Sequence, residues 1–256
     1  MRNLFYCMLL IPFFAISQTS QEYTVVDNYL ITANPTKIKE LDAGLAAHNK
    51  KFHGEGEYQA RVYEIMNGPR VGSFMWVSGP KPWSSMDKIR PDDKAHSNDW
   101  STNVAPYLLP ETDQVYWKFE PALSNISKDF TLNKLLVDMY DIKRNRGENA
   151  MKLVEKVKKV NDLKYPDLTY GIYKNELPST NDGRDLAVVY FFDKWSWMGE
   201  DPKFPASYNE VHGEDSFIEF LKEWEDTTIG KRSEIWMFRK DLSGVSGEVK
   251  AAARQK

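Results

Sequence analysis

Four histidines are the side chains of this sequence with the widest chemical range, because imidazole titrates near neutral pH and binds metal ions. Two of them open the same tripeptide, His-Gly-Glu, which begins at His53 and again at His212. A metal site would require such imidazoles and carboxylates to converge on one ion at about 2.0–2.2 Å. The two tripeptides occupy different places in the sequence repeat described below. We therefore predict no metal site, name His53 and His212 as the candidates if one exists, and expect both to lie in solvated turns at helix ends.

The segment around His96 is polar and irregular at a place where the order of elements calls for a regular helix. Local departures from an expected pattern often mark functional sites. His96, Asp99 and Trp100 are therefore our candidate catalytic residues, placed near the mouth of a pocket, with a mobile loop as the alternative. The fourth histidine, His48, lies on the apolar stripe of a predicted helix, and we expect it to be a packed helix residue.

The sequence contains none of the common catalytic motifs. It has no glycine-rich dinucleotide loop, no phosphate-binding loop, no HExxH and no GxSxG elbow. A Ser/His/Asp triad stays open, because its members need not be close in sequence.

The N-terminal segment has the pattern of a secretory signal peptide. Arg2 precedes the apolar run 4–16, and a small residue, Ser17, follows the run, so we predict signal peptide 1–17 with cleavage between Ser17 and Gln18. The apolar run is shorter than the about 20 residues that span a bilayer. The sequence thus predicts a secreted or periplasmic protein without a membrane span after cleavage. Cleavage would also remove Cys7, the one cysteine, and with it all thiol and disulfide chemistry.

Charge and composition narrow the class of protein further. The net charge is −3 with both signs well mixed, which argues against a nucleic-acid partner, since such proteins usually carry a basic stripe. The chain has 8 Trp, 13 Tyr and 13 Phe, enough to build a large aromatic core without disulfides.

The chain carries an internal repeat. The pattern Trp-Ser-x-Met begins at Trp83 and again 112 residues later at Trp195. Similar Trp-x-Phe segments begin at Trp117 and, 119 residues later, at Trp236, so the second copy has a net insertion. Residues that match between the copies are expected to be scaffold. The unmatched segments, 88–108 and 199–215, are where we expect function.

Each copy is predicted to run β-α-β-β-α-β. In the first copy the strands are 23–32, 58–66, 73–78 and 114–120, and the helices are 36–52 and an irregular helix within 88–108. In the second copy the strands are 135–142, 168–175, 186–192 and 233–239, and the helices are 148–163 and 216–227. The predicted units are repeat 1 (22–124), repeat 2 (132–243) and a polar, frayed tail (244–256).

This element order is the ferredoxin-like, or split βαβ, arrangement. Two such units in one chain resemble the dimeric α/β-barrel superfamily, in which two four-stranded sheets face each other. The resemblance covers nearly all of residues 22–243 and implies an α+β fold, with two ferredoxin-like repeats whose antiparallel sheets pack as an α/β barrel. Members of that superfamily include cofactor-free antibiotic-biosynthesis-type monooxygenases, NIPSNAP-like proteins and haem-binding chlorite-dismutase-like enzymes.

The resemblance bears on cofactor and assembly. In the haem-binding branch the proximal histidine comes from the second copy, where His212 is the one histidine. We predict no cofactor, with haem as the alternative. Because an internal duplication can complete the barrel within one chain, we favour a monomer over a homodimer.

The predicted strands are rich in aromatic residues, and one face of each would point into the barrel, where ligands commonly bind. The candidate ligand-binding residues are Trp76, Trp117, Phe119, Tyr190, Trp236 and Phe238. We therefore expect an exported protein that binds a small apolar or aromatic molecule in its barrel. Two alternatives stay open: a cofactor-independent monooxygenase-like enzyme, and a structural or interaction protein whose barrel is filled.

Overall fold

The computed structural model describes residues 22–88, 93–179 and 182–251. The predicted signal peptide, including Cys7, lies outside the described residues, so export stays a prediction. In the described ranges no helix has the length and apolar content needed to cross a bilayer.

The first half follows the predicted order of strands and helices. Its elements are β1 (Thr24–Ala33), α1 (Ile38–Phe52), β2 (Ala60–Ile65), β3 (Phe74–Pro82), α2 (Lys94–Asn103) and β4 (Leu108–Phe119). The irregular helix expected within 88–108 is the short, polar α2, which begins after Asp93, whose carboxylate accepts a hydrogen bond from the backbone N–H of His96. An acidic N-cap of this kind satisfies a free N–H of the first turn.

The second half repeats the order with one additional helix and two additional short strands. Its elements are β5 (Phe130–Thr131), β6 (Lys134–Ile142), α3 (Gly147–Lys164), β7 (Tyr170–Asn175), β8 (Leu186–Phe192), α4 (Phe204–His212), α5 (Ser216–Thr227), β9 (Thr228–Phe238) and β10 (Glu248–Val249). The segment 199–215 therefore contains the helix α4. His212 is its last residue and does not lie in a loop, because the buried Tyr208 anchors α4 to α3 and α5.

Eight antiparallel strands close into a barrel in the order β1-β3-β2-β9-β6-β8-β7-β4. Each half supplies four adjacent strands, as expected for two ferredoxin-like repeats. The halves join at two seams, where Tyr63 pairs with Phe238 between β2 and β9, and Trp117 pairs with Asn175 between β4 and β7. The predicted α+β barrel is confirmed, whereas the exact boundaries of the two repeats stay a prediction.

The helices cover the outside of the barrel. Helix α1 presents Leu41, Leu45 and His48 to the sheet, and all three are fully buried, which agrees with the expectation that His48 is packed. Along β3, Met75 and Val77 face the barrel interior, while Phe74 packs with Leu41 and Leu45 outside. The alternation of side chains along a strand thus separates an inner core from an outer one.

One glycine allows α1 and α2 to approach closely. A Cβ atom on Gly44 would lie 1.8 Å from the backbone carbonyl oxygen of Asn103, which ends α2. No side chain fits in that gap, so glycine at this position sets the distance between the two helices. The same contact brings the polar helix α2 onto the outer face of the first half.

The tail is ordered where the structure describes it, so the expectation that it is frayed is wrong for residues 244–251. Strand β10 pairs with β5, and Val249 packs against the inner core. Lys250 also forms an ion pair with Asp129. The pairing buries an apolar side chain that the mostly polar composition of the tail did not reveal.

Candidate functional site

The interior of the barrel contains a cavity of about 330 Å³ that is open to the outside. Its aromatic lining consists of Tyr63, Trp117, Phe119, Tyr173, Phe191 and Trp236. The barrel therefore contains open space, which argues against the filled barrel that the sequence left open as an alternative. A volume of this size lies at the lower end of the range, about 300–1,000 Å³, in which small molecules bind.

Four of the six residues proposed as ligand-binding lie at the barrel interior. Trp117, Phe119 and Trp236 line the cavity, and Phe238 packs behind them against Tyr63 with ring centroids 5.7 Å apart. These aromatic walls come from β4 and β9, the strands at which the two halves meet.

The other two residues lie on the outer face of the barrel, so the expectation that they line it is wrong. Val189 and Phe191 point into the cavity, so Tyr190 between them points outward. It lines an open groove between the sheet and helices α3, α4 and α5. Trp76, by the same alternation on β3, packs beneath α1.

A charged network closes part of the cavity wall. Glu234 is 1% exposed and accepts two hydrogen bonds from Arg70, at 2.9 and 2.7 Å. The indole N–H of Trp236 donates to the same carboxylate at 2.9 Å. The charge of Glu234 is thereby balanced by Arg70 and both carboxylate oxygens are engaged, so the ion pair stiffens the wall.

Two polar atoms at the cavity lack partners among the described residues. They are Oδ1 of Asn28, a hydrogen-bond acceptor, and Nε of Arg184, a donor. The other guanidinium nitrogens of Arg184 contact the carboxylates of Asp113 and Asp182. Buried polar groups are usually hydrogen-bonded, so an unpaired donor and an unpaired acceptor at an apolar cavity indicate a missing polar partner.

The tyrosines of the cavity are neutral at physiological pH. Burial raises the pKa of Tyr173 to about 12, and burial raises the pKa of Tyr63 still further. Loss of hydration disfavours the charged phenolate in both cases. The two phenols therefore act as neutral aromatic wall.

A second group of residues meets outside the barrel, where the end of α1 faces the start of α2. His48 lies in the last turn of α1, His53 directly follows that helix, and His96 lies in the first turn of α2. One ring nitrogen of each histidine lies within 4.8 Å of one nitrogen of each of the others. The candidate catalytic residues Asp99 and Trp100 lie in the same cluster.

Hydrogen bonds determine which nitrogen each ring presents to the cluster. Nδ1 of His48 donates to the carboxylate of Asp99 at 2.8 Å, and Nδ1 of His53 donates to the carbonyl of Tyr58 at 2.8 Å. Nε2 of His53 lies 3.2 Å from Nε2 of His96. The Nε2 atoms of His48 and His53 therefore carry lone pairs in their neutral forms.

Burial favours the uncharged forms of His48 and His53. It lowers the pKa of His53 to about 4 and also lowers the pKa of His48. His53 is buried, so the expectation of a solvated turn is wrong for this residue: it packs edge-on against Trp76, with ring centroids 4.9 Å apart. His48 packs edge-on against Trp100 at 5.2 Å in the same way.

The cluster is on the opposite face of the sheet from the cavity. His96, Asp99 and Trp100 are brought together as expected, but they do not lie at the mouth of the barrel, because α2 packs on the outer core through Trp100. His48 and His53 were not expected to join them. The sequence feature that could have indicated this is the position of His48 and His53 at the end of α1. The helix that packs against α1 is α2, which begins near His96.

No family model matches the chain, and no curated protein matches it. Among solved structures, an anthrone oxidase-like protein covers 91% of this chain and 96% of its own, with a TM-score of 0.53 at 7% identity. A mutant chlorite dismutase from Candidatus Nitrospira defluvii covers 86% of this chain and 94% of its own, with a TM-score of 0.54 at 8% identity.

A third similar structure is that of the "putative monooxygenase" from Lactobacillus acidophilus NCFM, which covers 90% of this chain and 100% of its own, with a TM-score of 0.51 at 10% identity. This chain has the dimeric α/β-barrel fold. At such low identities the likeness shows the fold alone, and fold does not determine chemistry. The function has to be argued from the cavity and the histidine cluster.

Haem is the cofactor implied by the chlorite-dismutase-like branch of dimeric α/β barrels, with His212 as its candidate ligand. Nε2 of His212 lies 3.0 Å from the carbonyl oxygen of Lys156, and its ring packs on Tyr208 with centroids 4.5 Å apart. The imidazole is thus engaged by the protein and does not fit an axial haem ligand. It is also absent from the histidine cluster, so the pair His53 and His212 does not form a metal site.

Proposed function

We propose that this dimeric α/β-barrel protein is an exported binding protein that holds a compact apolar or aromatic molecule inside its barrel. The observation that carries the proposal is the hollow interior, about 330 Å³ in volume and walled by aromatic side chains. An apolar ligand that leaves water for such a wall gains about 25 cal/mol for each Å² of buried surface.

The unpaired polar atoms refine the chemistry of the ligand. Asn28 Oδ1 is an unpaired acceptor and Arg184 Nε is an unpaired donor, and both residues contribute to the cavity lining. A phenolic hydroxyl group could donate to the first or accept from the second. The best fit is therefore a small aromatic molecule that carries a hydroxyl group.

An enzymatic role is the second candidate, since two of the similar structures bear the names of a monooxygenase and an anthrone oxidase-like protein. The cavity restricts how such an enzyme could work. Its lining in the described residues includes no histidine, and the one carboxylate there, Asp113, pairs with Arg184. A proton-abstracting enzyme of this fold would use Asp113 and not His96.

The binding proposal is tested with 1-naphthol and naphthalene as probes, followed by tryptophan fluorescence, to which the cavity residues Trp117 and Trp236 contribute. Both probes should bind the mature protein, and 1-naphthol should bind more tightly. Asn28→Ala should weaken 1-naphthol binding about 3- to 10-fold, the value of one neutral hydrogen bond, and leave naphthalene unchanged.

A cavity-filling variant provides the matched control. Ala187 is buried in the cavity wall, so Ala187→Phe should abolish binding of both probes. Ala206 is exposed on α4, so Ala206→Phe should bind both normally. Failure of the unaltered protein to bind either probe, together with the absence of a co-purifying mass in native mass spectrometry, would overturn the proposal.

A further inference from the structure

We propose that His48, His53 and His96 form a binding site for one divalent transition-metal ion, such as Zn²⁺. The inference goes beyond the proposed function, because the site lies on the outer face of the barrel. On β3, Trp76 packs against His53, while its neighbours Met75 and Val77 line the cavity on the other side of the sheet.

The hydrogen bonds of the cluster set the direction in which two of the imidazoles present their lone pairs. The Nδ1 atoms of His48 and His53 are used by Asp99 and by the Tyr58 carbonyl, which leaves the two Nε2 atoms as acceptors. The His48 Nε2 atom is buried and has no hydrogen-bond partner among the described residues. An unpaired acceptor beside two other imidazoles is a position at which a cation replaces the missing donor.

The spacing of the imidazole nitrogens is close to that of a tetrahedral metal site. Two imidazole nitrogens bound at about 2.0–2.1 Å around a tetrahedral ion are about 3.3 Å apart. The Nε2 atoms of His53 and His96 are 3.2 Å apart, so this pair already has the required separation. His48 completes the set within 4.8 Å and is held to the same group by its contact with the His96 ring, whose centroid is 4.7 Å away.

The groups that accept hydrogen bonds from the rings are of the kinds that surround metal-binding histidines. Metal-binding histidines generally donate their second N–H to a carboxylate or a backbone carbonyl, which orients the ring and increases its basicity. Asp99 and the Tyr58 carbonyl supply one of each. Asp99 also provides a negative charge next to the ion, and its partner cation Lys51 is exposed and 3.7 Å from the carboxylate.

The ligand set indicates the class of ion. Three imidazoles without a thiolate suit Zn²⁺, Cu²⁺ or Ni²⁺ and disfavour Ca²⁺ and Mg²⁺, which prefer oxygen ligands. Three protein ligands leave the fourth tetrahedral position to water or a substrate. Of the three histidines, His96 is the one that is partly exposed, so that position is reached from its side.

The experiment uses the full mature chain, treated with a chelator and then titrated with Zn²⁺ alone by calorimetry, with Co²⁺ as the spectroscopic probe. The unaltered protein should bind one ion and give the intense visible absorption of tetrahedral Co²⁺. His96→Ala should weaken Zn²⁺ binding more than about 100-fold, since loss of a second-shell partner alone costs about 10- to 100-fold. His212→Ala is the matched control, because His212 lies outside the cluster, and it should bind as the unaltered protein does.

Folding is controlled separately, since His48 is fully buried and its variants risk unfolding the chain. Asp99→Asn keeps the shape of the side chain and should weaken Zn²⁺ about 10- to 100-fold with an unchanged circular dichroism spectrum. The proposal is overturned if the folded, unaltered protein binds no Zn²⁺, or if His96→Ala binds it as tightly as His212→Ala does. Binding of naphthol in the barrel should be the same in all three variants, so failure of the metal site and failure of the cavity are distinguishable.

Discussion

His48 donates a hydrogen bond from Nδ1 to the carboxylate of Asp99, 2.8 Å away and 51 positions later in the chain. His48 is fully buried, whereas the Asp99 side chain is 16% exposed. The bond therefore connects the buried face of α1 with the partly exposed face of α2. It sets the orientation of the His48 ring and leaves its Nε2 atom directed away from Asp99.

Removing the carboxylate should destabilise the metal-free protein. In Asp99→Ala the buried Nδ1–H of His48 loses its acceptor, which should lower the free energy of unfolding by about 1–3 kcal/mol in urea titrations. The matched control is Asp162→Ala, which breaks an exposed pair with Lys158 on α3 and should cost less than about 0.5 kcal/mol. Equal effects of the two substitutions would contradict a buried His48–Asp99 bond.

The packing of α1 on α2 should depend on a single glycine. In Gly44→Ala the new methyl group would lie 1.8 Å from the Asn103 carbonyl oxygen, so α2 must move away. Overpacking of this kind should cost about 1–3 kcal/mol of stability and weaken Zn²⁺ binding, because His96 moves with α2. Gly147→Ala, at the start of α3 with nothing within 4 Å of the new atom, should instead stabilise by about 0.4–1 kcal/mol.

The ion pair in the barrel wall should be costly to break from one side. Arg70→Met leaves Glu234, which is 1% exposed, as an unpaired buried charge and should lower the free energy of unfolding by about 3–5 kcal/mol. Adding Glu234→Gln to that variant removes the charge and should recover part of the loss. A double variant less stable than Arg70→Met alone would show that the pairing does not explain the effect.

The cavity tyrosine Tyr173 should make the protein less stable in alkali. Its pKa in the folded protein is raised from 10 to about 12 by burial, so between these values the unfolded chain loses a proton that the folded protein retains. Stability therefore falls as the pH rises through this window. Urea titrations across the window should show a shallower decline for Tyr173→Phe, and an unchanged decline for Tyr107→Phe, which packs in the outer core.

The predicted export implies that cleavage of the signal peptide gives the protein a defined N-terminus. Expressed from the full sequence in a bacterial host, the protein should appear in the periplasmic fraction or the medium with Gln18 as its first residue, measured by intact mass and N-terminal sequencing. Replacing Ser17 with the bulky Tyr should block cleavage at that bond, because signal peptidase requires a small residue there. Full-length protein in the cytoplasm would contradict the prediction.

The sequence determined the order of the strands and helices other than α4, β5 and β10, because the spacing of apolar residues indicates which side of each element is covered. The internal repeat was found from two similar separations, that of Trp83 from Trp195 and that of Trp117 from Trp236. The repeat in turn predicted a barrel built from two halves. The polar composition around His96 marked α2 as unusual. The apolar spacing and the polar composition are local properties, readable from neighbouring residues, and the repeat is found by comparing the two halves of the sequence.

Only the tertiary structure decided which face of each strand points inward. Because side chains alternate along a strand, Trp76 and Met75 lie on opposite faces of the sheet. Which of the two faces points into the barrel depends on the side that the helices cover. Trp76 and Tyr190 were therefore assigned to the wrong side of the sheet, whereas Trp117 and Trp236 were assigned to the correct one.

The histidine cluster is likewise a product of the tertiary structure. His48 and His53 are five positions apart, yet His96 joins them only because α2 returns across α1 at Gly44. Helical spacing describes one helix at a time and carries no information on which helix packs against it. The sequence therefore determined which side chains could bind a ligand or a metal, and the packing of α2 on α1 decided which three of them meet.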